Sequence, residues 1–376
     1  MLKVALVGCG KVADQHAEHI RYAPNAEVVA VCDREELMAK QLQERSNARG
    51  RFTDVRELLS KVRPDVVHIT TPPQGHYELG KLCLEAGANV YIEKPFTVNA
   101  EEAAALIAVA ENAKRKVTVG HNQQFSHAAR RMRQLVADGY LGGPPVHVES
   151  YDGYELGDAS SYAKAVLGDQ RHWVRRLPGG LVQNIMSHGI SKIAEFIQSE
   201  TPHVIAHGFT SPFLRSVGET GIVDEVRVII HDDALTAYYT FSSQMRPVLE
   251  ELRLYGPKNA LVVDTTQQTV IKVKGTPYKS LLEQFVPPWN YGKQGLANFG
   301  GNVRKFLRSD FHPDHGKKTL IREFYSSIEN GTPVPIPYRE IMVTARIMDD
   351  VFSQLSAVQA SGPDRQDQDS VLAERT

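Results

Sequence analysis

Three short stretches of the chain hold residues whose types and spacing could do chemistry. Gly8-Cys9-Gly10-Lys11-Val12-Ala13 fits the pattern G-x-G-x-x-[GA]. Gly8 would permit a tight turn, and Gly10 would let the backbone approach a pyrophosphate. Ala13 is small enough for helix and strand to pack closely, and the free N–H groups of a helix starting at Lys11 and Val12 would face the phosphates. Asp33, at the end of the next apolar run, can accept hydrogen bonds from both hydroxyls of an adenosine ribose and would repel a 2′-phosphate. This favours NAD as cofactor. Arg34 beside it could pair with such a phosphate, so NADP stays open, and Asp33 can also serve as a helix N-cap. The second stretch is Glu93-Lys94-Pro95, directly after Val90-Tyr91-Ile92. A lysine beyond the carboxyl end of a strand can polarise a hydroxyl or carbonyl, and burial can lower its pKa. Taken alone, Lys94 reads equally well as a surface lysine in a turn. The third stretch is Asn184 and His188, four residues apart and therefore on one helix face. Taken alone, His188 reads as a core histidine.

The elements that must position these residues follow from the hydropathy pattern. Over the first 120 residues, apolar runs at 3–7, 28–32, 66–70, 89–92 and 117–119 alternate with helical patterns at 11–22, 34–46, 55–61, 75–86 and 100–114. Runs without strict alternation suit strands buried on both faces of a parallel sheet, and strand–helix alternation implies a doubly wound α/β domain. Asn99 followed by Glu102 gives the fifth helix an N-cap and capping box. After His121 a helix at 126–138 precedes strand-like runs at 146–151, 203–210, 225–231, 235–241, 250–255 and 269–273. One long helical pattern at 181–196 interrupts them, and others follow at 302–307, 319–329 and 340–355. This predicts an α+β second domain with an open, largely antiparallel sheet. The domains are expected at 1–121 and 122–358, with a frayed polar tail at 359–376.

Composition narrows the function classes. The chain has 376 residues with 43 basic and 44 acidic side chains, so no global charge draws it to nucleic acid. No apolar run approaches the length needed to span a bilayer. Three scattered cysteines, Cys9, Cys32 and Cys83, suit neither a disulfide framework nor a zinc site, and no metal is expected. Leu6-Val7-Gly8-Cys9 imitates a lipoprotein cleavage box, but the stretch before it is too short for a signal peptide. A reducing, cytoplasmic setting is expected.

The order of the motifs resembles the Gfo/Idh/MocA oxidoreductases over roughly residues 1–260. It runs from an N-terminal GxGxxA through Ile69-Thr70-Thr71-Pro72-Pro73 with His76, Glu93-Lys94-Pro95 and Gly120-His121-Asn122 to a later helix carrying histidine. The resemblance implies a Rossmann domain, a nicotinamide cofactor and a sugar, cyclitol or nucleotide-sugar substrate. It also implies a homodimer or homotetramer built through one face of the second sheet. Lys94 matches the family's catalytic lysine. Thr70, Thr71, Pro72 and His76 match the loop beside the cofactor, Glu93 the residue near the nicotinamide ribose, and Asn122 a further cofactor contact. His188 matches the acid/base histidine, and Asn184 stands where aspartate is common. Asn184 can orient a hydroxyl but cannot take a proton. On this reading His188 takes the substrate's proton while Lys94 steadies the developing charge.

For the substrate, Trp173, Arg175 and Arg176 precede the Gly179-Gly180 turn and could meet a sugar, phosphate or carboxylate, or form a solvated basic loop. Tyr151, Asp152 and Tyr154 are further lining candidates. Residues 272–318 hold nine basic against three acidic side chains, interleaved with aromatics. They are expected to pack or to form a subunit interface, with contact to an anionic lipid-linked or polymeric substrate as the alternative. Two other functions share the architecture: a glycoside hydrolase using bound NAD, and a non-catalytic NAD-sensing regulator.

Overall fold

The computed structural model describes residues 1–156, 161–312 and 314–360. Six parallel strands make the first sheet: β1 (Leu2–Val7), β2 (Ala26–Cys32), β3 (Gly50–Phe52), β4 (Val66–Ile69), β5 (Asn89–Ile92) and β6 (Val117–Val119), in the order β3-β2-β1-β4-β5-β6. Helices α1 (Lys11–Arg21), α2 (Glu36–Ser46), α3 (Val55–Val62), α4 (His76–Glu85) and α5 (Ala100–Asn112) connect them. The strand order reverses between β1 and β4, so their carboxyl ends open a crevice there. Asn99 caps α5 by accepting from the Glu102 N–H at 2.8 Å. Strand β3 was not anticipated, because Gly50-Arg51-Phe52 is short and edge-exposed. Helix α2 starts at Glu36, since Asp33 accepts the Glu35 N–H at 3.0 Å and holds the turn open before it.

The second domain begins with α6 (His127–Ala137), β7 (His147–Gly153), α7 (Ser161–Gly168) and α8 (Gly180–Ala194). It continues through β8 (His203–Phe209), α9 (Pro212–Ser216), β9 (Glu225–His231), β10 (Thr236–Ser242), β11 (Glu250–Tyr255), β12 (Asn259–Asp264) and β13 (Thr269–Lys274). These seven strands are ordered β13-β12-β11-β7-β10-β9-β8 and pair antiparallel except β7 with β10, which run parallel. One face of the sheet packs against α8. At Gly189 a Cβ would lie 2.2 Å from Asp152 and Tyr239, so only glycine permits this approach.

Three helices close the described chain: α10 (Leu282–Leu307), α11 (His315–Asn330) and α12 (Tyr338–Ala360). Only the end of α10 was legible as helix, because Pro287-Pro288 and four glycines read as breakers; the tertiary partner that offsets them is the edge strand β13. The first hydrophobic core is not confined to residues before 122, because Leu320, Ile321, Phe324 and Tyr325 of α11 are buried in it. Helix α12 runs two residues into the expected tail, and residues 361–376 lie outside the described ones.

Candidate active site

At the end of β1 the chain turns through Gly8 at φ +93°, where a Cβ would lie 2.9 Å from the backbone of Thr70 and Thr71. The neighbouring Gly10 differs: nothing stands within 4 Å of where its Cβ would be. Gly10 is also the N-cap of α1, and no side chain bonds the first turn there. Lys11 and Val12 are exposed, and Ala13 is fully buried against the sheet. Together these make an open backbone cradle at a helix N-terminus, the environment a pyrophosphate needs. The cradle opens into a cleft of about 930 Å³ lined by Gly8, Gly10, Asp33, Arg34, Thr70, Thr71 and Pro72. The residues present therefore fit a dinucleotide. Asp33 accepts the Cys9 N–H at 2.7 Å and so ties the glycine loop to β2. Thr70 donates its hydroxyl to Gly8 O at 2.6 Å, while the buried Thr71 hydroxyl has no hydrogen-bond partner among the described residues.

The peptide after Lys94 is cis, and the loop it shapes is clamped by His76. One ring nitrogen of His76 lies 2.9 Å from Pro95 O and the other 2.8 Å from Thr71 O. His76 is thus wholly buried as a brace between two loops of the cleft. Lys94 crosses to the second domain, where its Nζ donates to the Asn184 carbonyl at 2.8 Å and lies 3.4 Å from Asn184 Oδ1. One turn further along α8 is His188, whose Nδ1 is buried without a partner. His121 faces it, ring centroids 6.3 Å apart, and neither of its nitrogens has a partner among the described residues. Burial lowers the Lys94 pKa, with the Lys317 charge adding to it and Glu93 opposing. Burial likewise depresses His188 well below its ordinary value, and the charges of Lys94, His121 and Lys192 add to this. His121 is pushed down to about 3, by burial first and Lys94 second. A basic group that favours its neutral form inside a cleft, beside unpaired ring nitrogens, can accept a proton or donate a hydrogen bond to a hydroxyl.

Several expected site residues lie elsewhere. Glu93 turns inward, 2.7 Å from His16 Nε2 and 3.1 Å from Lys317 Nζ, rather than lining the cleft. Asn122 begins a short 3₁₀ turn against which Gly316 packs backbone to backbone. Tyr151 points to the open face of the sheet, bonding Glu149 at 3.1 Å under Arg253, because alternation along β7 sends Ser150 and Asp152 to the α8 side instead. Tyr154 packs with the apolar clusters of the second domain. Arg175 is held by Glu219 at 2.7 Å and Val166 O at 2.9 Å. Trp173 and Arg176 reach the dinucleotide cleft, and Gln74 Nε2 fastens Trp173 O at 3.0 Å. The sequence reading gave His121 no role; its place in Gly120-His121-Asn122, directly after a strand end, was the available signal. It also missed Lys192, which is buried against Asp152 at 3.1 Å one turn beyond His188.

Residues 2–121 match the family model described as an oxidoreductase family with an NAD-binding Rossmann fold. Among curated proteins, the D-glucoside 3-dehydrogenase of Escherichia coli is 33% identical over 142 residues, 38% of this chain and 40% of that protein. The myo-inositol 2-dehydrogenase of Thermotoga maritima is 21% identical over 280 residues, covering 72% and 77%. A solved NAD-binding oxidoreductase from Klebsiella pneumoniae superposes with TM-score 0.73 at 21% identity, covering 96% and 97%. Residues 2–121 thus match the NAD-binding Rossmann domain of the Gfo/Idh/MocA oxidoreductases, and the likeness to inositol dehydrogenases extends into the second domain.

Proposed function

We propose that this oxidoreductase is an NAD-dependent dehydrogenase that oxidises a secondary alcohol of a sugar-like or cyclitol substrate, with Lys94 and His188 sharing the acid/base work. The observation that carries this reading is the meeting of Lys94, from the loop after β5, with α8, where His188 and His121 hold nitrogens without partners among the described residues. Buried polar atoms in folded proteins are almost always paired, so unpaired ones grouped beside a buried lysine mark the place of a polar ligand. The names of the relatives, a glucoside dehydrogenase and an inositol dehydrogenase, support the substrate class.

The nicotinamide, when bound, supplies the hydride acceptor. What this chain contributes is the fate of the hydroxyl proton. The expectation drawn from the sequence gave that proton to His188. The electrostatics favour Lys94 instead, because His188 lies next to three positively charged or chargeable groups and is depressed well below its ordinary value. Burial lowers Lys94 toward its neutral form from a much higher ordinary value, so we assign it the base role. Neutral His188 then orients the hydroxyl through Nδ1 and takes part as Lys94 gains its charge. The Asn184 carbonyl, 2.8 Å from Nζ, fixes the direction of the lysine and steadies its cationic form. Asp33 favours NAD, and Arg34 and Arg176 in the same cleft are the residues that would hold a 2′-phosphate.

The test is absorbance at 340 nm with NAD and a panel of sugars, cyclitols, uronates and nucleotide sugars. Growth of the NADH band with one class, lost in Lys94→Ala, is the expected result. Cleavage of a glycoside without net NADH would replace the reading by a hydrolase, and NAD binding without turnover of any member would replace it by a sensor.

A further inference from the structure

Helix α10 has two faces that fit nothing in the dehydrogenase site. On one, amide side chains at successive turns bind the edge of the second sheet. Gln294 accepts the Lys272 N–H at 2.8 Å and donates to Lys272 O at 3.1 Å. Asn298 donates to Val270 O at 3.1 Å, and Asn302 to Gln267 O at 2.8 Å. These bonds satisfy the open edge of β13, which would otherwise template pairing with another strand. They also fix the rotation of the helix. With the amides turned to the strand, the opposite stripe of Phe285, Trp289, Leu296, Phe299, Val303 and Phe306 is directed at solvent. Trp289, Leu296 and Phe299 are 67%, 74% and 68% exposed, and no residue of the helix is buried. From Phe285 to Phe306 the helix carries an apolar ridge about 32 Å long, beyond what a solvated surface ordinarily shows.

Beside the helix, where it meets the β12–β13 hairpin, is a second feature. A cavity of about 950 Å³ is bordered by Lys258, Lys272, Lys274 and Lys293, with Tyr140, Tyr278 and Tyr291 among its walls. None of the four lysines has a carboxylate partner among the described residues. Lys272 and Lys274 lie over the rings of Tyr140 and Tyr278, and Lys293 over Trp289. The single carboxylate in the lining, Glu283, is engaged by the Tyr278 N–H.

We propose that α10 is an interfacial anchor that lays its apolar ridge into an anionic bilayer surface while the adjoining lysine cavity receives lipid phosphate headgroups. A bilayer matches both features at once: acyl chains for the ridge, negative charge for lysines that no protein group neutralises. The helix lies on the membrane rather than through it, since no helix among the described residues is long and apolar enough to cross one. A second copy of the chain is the poorer match. On α10 itself Lys293, Arg304 and Lys305 outnumber the one acid, Glu283, and Lys279 and Arg308 flank it against Asp310, so pairing two such helices would bring an excess of like charges together.

The test is co-sedimentation of the full chain with vesicles of phosphatidylcholine alone and of phosphatidylcholine mixed equally with phosphatidylglycerol, with tryptophan emission followed in parallel. The expected result is binding to the mixed vesicles only, weakened by salt, with a blue shift that disappears in Trp289→Phe. The chain's other tryptophan, Trp173, sits in the dinucleotide cleft and reports separately. Lys272→Gln and Lys274→Gln should each weaken binding about fivefold, and Phe285→Ser with Phe299→Ser should abolish it without lowering the thermal midpoint. Equal binding to both vesicle types, or none to either, overturns the proposal. So does a dimer in sedimentation velocity that Phe299→Ser dissociates, because the ridge would then be a protein interface.

Discussion

Two pairs of buried histidines stand on either side of the Glu93-Lys94 peptide, and their contrast separates architecture from function. In the first domain's core every nitrogen of His16 and His68 is engaged. Glu93 lies 2.7 Å from His16 Nε2, the two Nδ1 atoms are 2.7 Å apart, and Tyr325 lies 2.8 Å from His68 Nε2. Burial pushes Glu93 upward, but the Lys317 ammonium and the His16 hydrogen bond outweigh it and hold the carboxyl well below its usual range. An ionised Glu93 can only accept, so each proton along the chain is assigned: Tyr325 donates to His68, His68 to His16, and His16 to Glu93. His121 and His188, on the other side, are also held neutral by burial, yet three of their nitrogens have no partner. Low basicity is common to both pairs. What distinguishes the pair beside Lys94 is unspent hydrogen-bonding capacity, and that is where a substrate gains most by binding.

The largest break in the comparison is expected at Lys94. Lys94→Ala should lower kcat/KM about 10²–10⁴-fold while leaving the thermal midpoint nearly unchanged, read by steady-state kinetics and circular dichroism. His16→Ala should do the reverse. It removes one member of a saturated buried network and should cost about 1–3 kcal/mol in urea unfolding, with less than a tenfold change in kcat. If His16→Ala were as inactive as Lys94→Ala yet fully stable, the division between the two pairs would fail.

Acid stability tests both pairs together. Histidines whose folded pKa is depressed bind more protons when unfolded, so stability is complete above about pH 6.5 and is lost as pH falls below it. For His121 the loss extends to about pH 3. The thermal midpoint should fall steadily between pH 6.5 and pH 4, and less steeply in His121→Asn. The smallest effect sharpens the proton assignment. Asn184→Asp places a carboxylate 3.4 Å from Lys94 Nζ, which should raise the lysine's pKa and move the acid limb of kcat/KM upward by about one pH unit. His188→Gln should lower the rate without removing that limb. Loss of the limb in His188→Gln would return the base role to the histidine.

Much of this was legible in the sequence wherever function depends on local backbone. Gly8, Gly10 and Ala13 form a cradle because a tight turn, an open approach and close helix packing are properties of those residue types at that spacing. The buried parallel strands follow from their unbroken apolar runs, and the Asn99 cap from its place before Glu102. The tertiary structure decided what depends on distant partners. Tyr151 and Asp152 are neighbours in sequence but face opposite sides of a sheet whose register no local pattern reveals. Arg175 and Arg176 are neighbours of one type, yet Glu219 and Val166 O hold the first while the second reaches the cleft. Glu93 looks inward because Lys317, more than two hundred residues later, returns to the first core. Helix α10 survives two prolines because the edge of β13 holds its amides. Local conformational preference is written residue by residue. Which polar groups find partners, and which are left free to meet a ligand, is settled only when remote segments pack together.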